Sequence, residues 1–366
     1  MFLRNHWYVA GFSDEVQKEP LARTVLNERV VLYRAESGRV AALEDRCSHR
    51  LMPLSKGRID GETLVCIYHG LVYNSAGSCV HVPRLNSPPS STLCVKSYPV
   101  AERYGAIWLW MGDPDLVDES KIIDCSLLDI FGSDGTRMYF HVKANYLFIS
   151  DNLADLLHVG FLHNPSQKAG KSIVGDSGIG NDELAYGKLD VRQEGEHIYG
   201  DWTWENITPP ITFKNLAGIQ GRADGWVLSM FHPPSFFVNP IGFAEAGTGG
   251  KESALNQGSG KFSFTIYQCI TPETDRSTHF FKLIAHNWTP EMVEKGMQLI
   301  NKVNTEDIWA MECQQETIDH NPQAQMRYIP TDGAVVRMHR LLDKLIEEEA
   351  GAVATVSVGK VRSPTS

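Results

Sequence analysis

Two short loops constrain this chain more than any other feature. Cys47-Ser48-His49-Arg50 and Cys66-Ile67-Tyr68-His69-Gly70 each set a thiolate close to an imidazole, with sixteen residues between His49 and Cys66. Two such loops can meet as fingers around a metal, so the fold has to bring them together. Three readings compete. A zinc site is chemically possible for two Cys and two His. Zinc fingers, however, pair C-x₂₋₄-C with H-x₃₋₅-H and do not mix C-x-H with C-x-x-H. Two unrelated buried cysteines would leave the matching histidine offsets to coincidence. A two-iron cluster fits with both Cys on one iron and both His on the other. Neutral imidazoles in place of thiolates raise its potential to about −150 to +300 mV, against about −400 mV for plant-type all-Cys clusters. Such a centre accepts electrons readily from a reduced carrier.

The surroundings read as a small all-β domain. Val30-Val31-Leu32-Tyr33 and Val40-Ala41-Ala42-Leu43 flank a turn at Ser37-Gly38 and predict a hairpin over 25–45. Ala106-Ile107-Trp108-Leu109-Trp110-Met111 is a further strand, closed by Gly112-Asp113-Pro114. A length of 366 residues leaves room for a second domain. The expected boundaries are 1–120 and 121–348, with a small, polar, disordered tail at 349–366. In the second domain, 185–290 is strand-like, with strands at 226–231 and 262–267 and a long loop at 246–260. The chain turns helical after Thr289-Pro290, from about 292 to 318, and again from Thr331-Asp332.

Asp151-Asn152-Leu153-Ala154-Asp155-Leu156-Leu157-His158-Val159-Gly160-Phe161-Leu162-His163 is the second polar constellation. Its leucines recur at helical spacing, and Asp155 and His158, three apart, would share a helix face. Two His with one carboxylate and open positions is the pattern of non-haem Fe(II) oxygenases. Taken alone, the stretch also reads as a buried structural helix. A third ligand could be Glu306, Asp307, Glu312 or Glu316, and spacing does not choose among them.

With both patterns present, the chain resembles the Rieske non-haem iron oxygenases over nearly its full length. C-x-H-R followed by C-x-Y-H-G resembles the Rieske loops, and 151–163 resembles the family's D-N-x-x-D-x-x-H-x-x-x-x-H signature. The resemblance implies an α+β chain: an N-terminal all-β Rieske domain and a C-terminal helix-grip catalytic domain, an antiparallel sheet with helices. It implies that Cys47, His49, Cys66 and His69 bind a [2Fe–2S] cluster and that His158 and His163 bind a mononuclear Fe(II). It selects Asp307 as the third ligand, in Thr305-Glu306-Asp307-Ile308, with Glu306 as the alternative. It further implies a homotrimer, in which Asp155 bridges from His158 to a cluster histidine of the neighbouring subunit. Asn152 is a candidate active-site residue, with helix capping as its competing role.

Arg4-Asn5-His6-Trp7-Tyr8-Val9-Ala10, Phe231-His232-Pro233-Pro234-Ser235, Ala244-Glu245-Ala246-Gly247-Thr248-Gly249-Gly250 and Ile270-Thr271-Pro272-Glu273-Thr274 narrow the resemblance. They are similar to the branch of vanillate O-demethylase, dicamba monooxygenase and toluenesulfonate methyl-monooxygenase. Two positions depart: Cys-Ser-His replaces Cys-Pro-His, and Gln268 stands where the dicamba enzyme has a substrate-contacting histidine. The branch implies hydroxylation by O₂ of a methyl or methoxy group on a small aromatic acid, an O-methyl group leaving as formaldehyde. Electrons would come from NAD(P)H through a separate flavin and iron–sulfur reductase. The alternatives are a ring-hydroxylating dioxygenase and, outside the class, a Rieske electron-transfer protein. His232, His279, His286 and Trp288 are eligible pocket residues. A net charge of −10 argues against nucleic acid, and no apolar run is long enough to span a membrane. With no signal-peptide pattern and seven cysteines lacking a disulfide framework, a reducing cytoplasm is expected.

Overall fold

The apolar runs ahead of residue 124 become strands. The computed structural model describes residues 1–132, 136–164, 177–248 and 262–360. It divides into two units, the first being Met1–Asp124 with Thr271–Asp275 and the described residues from Leu345 on. Its strands are β1 (Trp7–Phe12), β2 (Leu21–Val25), β3 (Glu28–Arg34), β4 (Val40–Glu44), β5 (Arg58–Asp60), β6 (Thr63–Val65), β7 (Val72–Tyr73), β8 (Cys79–His81), β9 (Ser97–Tyr98), β10 (Val100–Arg103) and β11 (Ala106–Trp110). They form three antiparallel sheets, ordered β1-β11-β10, β2-β3-β4-β9 and β5-β6-β7-β8. One apolar cluster joins β3, β4, β6 and β7 through Val31, Tyr33, Leu43, Leu64 and Tyr73, and it takes in Cys47 and Cys66. Each cysteine loop thus starts from a strand end anchored in a shared core.

The second unit, Cys125–Ile270 with Arg276–Lys344, opens on helix α1 (Leu127–Phe131). Its sheet runs β12 (Arg137–Val142), β19 (Ser277–His286), β18 (Phe262–Thr274), β17 (Phe236–Glu245), β15 (Ala223–Val227), β14 (His197–Ile207) and β13 (Lys188–Glu194). The eighth strand, β16 (Met230–His232), pairs with β14 and β17. Helices α2 (Tyr146–Ala154), α3 (Ile211–Ala217), α4 (Pro290–His320) and α5 (Gly333–Lys360) complete the elements used below. Trp226, Phe231, Phe236, Phe237 and Phe243 are fully buried, each worth about 1.5–3 kcal/mol of hydrophobic stabilisation.

Three expectations change. The helix predicted across 151–163 ends at Ala154, because Asp155 is extended (φ −108°, ψ 106°). The Asp155 carboxylate accepts the Leu157 amide at 2.9 Å and starts a separate 3₁₀ turn, Leu157–Gly160. Asp155 and His158 therefore share no helix face. The strand over 226–231 is interrupted at Leu228-Ser229, where the Ser229 hydroxyl turns away to donate to the Leu153 carbonyl at the end of α2 (2.7 Å). The tail does not begin at 349: α5 continues to Lys360, and Glu349 accepts the backbone amides of Arg4 (2.7 Å) and Asn5 (2.5 Å). A formed helix adds residues at little cost, and ion–amide hydrogen bonds pin this one. Residues 361–366, and most of the loop expected at 246–260, lie outside the described residues. No described helix is long and apolar enough to cross a membrane.

Candidate functional site

The two cysteine loops share one backbone pattern. In each, the amide of the cysteine donates to the carbonyl five residues on (Cys47 to Met52, 2.7 Å; Cys66 to Leu71, 2.8 Å). The amide four residues on returns to the cysteine carbonyl (Leu51 to Cys47, 2.9 Å; Gly70 to Cys66, 3.0 Å). Closing that turn needs positive φ at the fourth position, 58° at Leu51 and 73° at Gly70. A side chain at Gly70 would also meet Pro83 at 2.9 Å, so glycine is required there. The sulfurs are thereby buried while His49 and His69 are exposed, their rings 4.7 Å apart. Backbone amides of Tyr68 and His69 point at the Cys66 sulfur. Tyr73 Oη lies 3.2 Å from Cys47 Sγ and accepts the Ser48 amide at 3.1 Å. Such donors stabilise anionic sulfur and raise the potential of an iron–sulfur centre.

A single zinc would need its ligand atoms about 3.3–3.8 Å apart. Among the described residues, no three of Cys47, His49, Cys66 and His69 bring ligand atoms within 4.8 Å of one another. An inner cysteine pair and an outer histidine pair fit a two-iron cluster instead.

The one group that does converge within 4.8 Å, among the described residues, is His158, His163 and Asp307. Helix α4 supplies the carboxylate. Thr289 caps it, Pro290 occupies its first turn, and its buried stripe runs Ile300, Asn304, Asp307, Met311 at spacings of four, three and four. Asp307 Oδ1 lies 3.1 Å from His163 Nε2 and 3.4 Å from His158 Nε2. Both imidazoles present Nε2 because Nδ1 is used elsewhere. His158 Nδ1 donates to the Asp155 carbonyl at 2.7 Å, and His163 Nδ1 donates to Glu306 Oε2 at 2.6 Å. Fixing the tautomer through the far nitrogen is how protein metal sites orient histidine. Asn152 donates to Asp307 Oδ1 at 3.2 Å. It lies inside α2, whose cap is Asn145, so capping is not its role. Gly160 lets the 3₁₀ turn approach Ala185, whose backbone a side chain would meet at 2.9 Å.

Electrostatics match a cation site. Burial would raise the Asp307 carboxyl, but His163 and His158 outweigh it and hold it well below the usual range. Burial disfavours imidazolium at His163, yet Asp307 and Glu306 carry it up to about 9. The donor set fits a 2-His-1-carboxylate iron.

Glu306, the alternative ligand, stands behind His163 instead. It is 1% exposed and accepts from the Ser177 hydroxyl at 2.7 Å and from the Ser177 amide at 3.2 Å. Only adjacency to Asp307 marks it in the sequence. Glu306→Gln is expected to weaken iron binding about 10–100-fold with an unchanged cluster spectrum; chelator competition giving wild-type affinity would refute the role.

The three groups line a cavity of about 120 Å³, walled mainly by apolar residues such as Leu156, Trp204, Phe213, Ile241 and Ile266. None of His232, His279, His286 and Trp288 lines it. His279 Nδ1 bonds Tyr139 Oη (2.9 Å), His286 stacks on Trp288 (4.6 Å), and His232 packs on His197 (4.3 Å). Gln268 does line it, with Asn239 and Lys282. Lys282 could have been found: it is a lone cation within Phe280-Phe281-Lys282-Leu283-Ile284-Ala285.

Two family models match: a Rieske [2Fe–2S] domain over residues 6–99 and a vanillate O-demethylase oxygenase C-terminal domain over 142–348. A putative toluene-4-sulfonate monooxygenase system iron-sulfur subunit of Comamonas testosteroni is 34% identical, covering 97% of this chain and 100% of that one. A vanillate O-demethylase oxygenase subunit of a Pseudomonas species is 32% identical, covering 98% and 99%. Among solved structures, dicamba monooxygenase bound to dicamba superposes with a TM-score of 0.81 at 30% identity, covering 96% and 99%. The same enzyme with non-heme iron and dicamba gives a TM-score of 0.72.

Proposed function

We propose, since the chain belongs to the Rieske non-haem iron oxygenases of the vanillate O-demethylase branch, that it hydroxylates a methyl or methoxy group of a small aromatic acid. It is the oxygenase component of such a system, with a Rieske [2Fe–2S] cluster and a mononuclear iron as cofactors. The observation that carries the reading is the convergence of His158, His163 and Asp307 on one largely apolar cavity.

We assign the cluster to Cys47, His49, Cys66 and His69 within 1–120, and the iron to His158, His163 and Asp307 within 121–348. Bound there, iron supplies O₂ activation, and the cluster supplies electrons one at a time. The chain's own residues do the rest. Glu306 and the Asp155 carbonyl hold the two imidazoles in one tautomer. Asn152 steadies the inner oxygen of Asp307. The apolar walls exclude water and hold the reacting C–H bond in place. For a methoxyarene the balance is ArOCH₃ + O₂ + 2e⁻ + 2H⁺ → ArOH + CH₂O + H₂O. The electrons come from NAD(P)H through a reductase partner, assigned as a flavin and iron–sulfur protein. We assign Asp155 the bridge to a neighbouring subunit's cluster in a homotrimer, and the cytoplasm as the compartment, which suits seven cysteines outside any disulfide.

Incubating the purified protein with a reductase, NADH and a panel of methoxybenzoates and 4-methylbenzenesulfonate tests the reading. Formaldehyde from the ethers, or an alcohol from the methyl arene, is expected. Ring cis-diols without formaldehyde would transfer the chain to the ring dioxygenases. A bare electron-transfer role predicts about two irons per chain, the cluster's own, where the oxygenase predicts about three.

A further inference from the structure

Three polar side chains cross the cavity wall, one from each of three successive strands: Asn239 on β17, Gln268 on β18 and Lys282 on β19. They are 2–4% exposed. Asn239 is satisfied, donating to the Leu228 carbonyl at 3.1 Å and accepting from Gln268 Nε2 at 2.7 Å. The other two are not. Gln268 Oε1 is buried without a hydrogen-bond partner. Lys282 has neither a hydrogen bond nor an ion pair among the described residues; Nζ sits 4.4 Å over the Phe280 ring. Burial pushes Lys282 down to about 7, with Asp307 pulling the other way from a distance. A buried lysine is stable when paired, and this one lines the cavity with no partner on the protein side among the described residues.

We propose that Lys282 determines specificity by binding the acid group, carboxylate or sulfonate, of the aromatic substrate. The carboxamide oxygen of Gln268 repels an anion, so the acid end lies on the Lys282 side of the polar row. Most of the remaining wall is apolar and suits the ring. Strand β19 holds the lysine while α2 and α4 hold the Asn152 and Asp307 side, so the acid and the reacting carbon contact different elements. The proposal rests on the reading above only in taking this cavity as the substrate site.

Binding to the iron-loaded holoprotein, followed by calorimetry, tests it with three probes: 3-methoxybenzoate, 4-methylbenzenesulfonate and the neutral methyl 3-methoxybenzoate. The wild type should bind both acids about tenfold or more tighter than the ester. Lys282→Met should raise both acid Kd values about tenfold or more and leave the ester within about twofold. Methionine fills the same space without a buried charge, so its melting temperature should not fall; Lys282→Gln serves as the second variant. Equal wild-type affinity for acid and ester, no binding of either acid, or wild-type acid affinity in both folded variants would overturn the proposal. Formaldehyde is measured in parallel. Its absence with the acid preference intact counts against the demethylase reading alone, and its release without acid preference counts against Lys282 alone.

Discussion

Asp307→Ala is expected to lower the iron content from about three per chain to about two and to cut turnover by at least about 10³-fold, roughly 4 kcal/mol. Among the described residues, Asp307 is the only carboxylate grouped with both imidazoles as a possible metal ligand. Glu306 cannot replace it, because its carboxylate already accepts from His163 Nδ1 and Ser177. Removing Asp307 leaves two neutral donors, too few to hold a divalent iron against solvent. The cluster loops belong to the other unit, so the Rieske EPR signal should be that of the wild type. Retention of the third iron in Asp307→Ala would show that another group completes the site.

The second large effect is expected at Asp155. Its carbonyl positions His158, and its carboxylate takes one backbone amide within its own turn. Asparagine keeps the carbonyl, the shape and an oxygen for the Leu157 amide. What it loses is the negative charge that a charge-assisted bridge to a neighbour's cluster would use. Asp155→Asn should therefore keep about three irons and an unaltered cluster spectrum while turnover falls about 10²-fold or more. Rapid-mixing measurement of electron transfer to the iron separates this from a folding defect. Wild-type turnover would remove the bridge from the mechanism.

These residues mark how far the chain could be read. The Cys and His of the two loops and the pair His158 and His163 announce themselves by type and spacing, since few other roles need those donors at those offsets. Strands β3, β4 and β11 and helix α4 were legible because their apolar period survives in the fold. The break at Asp155 was not. Helical leucine spacing continues through it, and the winning term is one side chain accepting one amide. Choosing Asp307 over Glu306 needed the resemblance, because neighbours on a helix both carry carboxylates and only packing says which faces His163 Nε2 and which Nδ1. Gln268 was marked only through the resemblance, and Lys282 went unmarked, for the opposite reason. Their meaning comes from three strands brought side by side, far apart in the chain.

The site is divided by element: the proposed iron ligands stand on or beside helices, whereas the polar row comes from sheet strands. On a strand, only every second side chain faces the cavity, and its neighbours face the other way. A handful of alternate positions on β17, β18 and β19 can therefore be exchanged one at a time without moving a ligand or disturbing the opposite face. Mutation and selection can retune what such a protein degrades while the oxidative chemistry is inherited intact, and a directed library aimed at new pollutants should be confined to those positions.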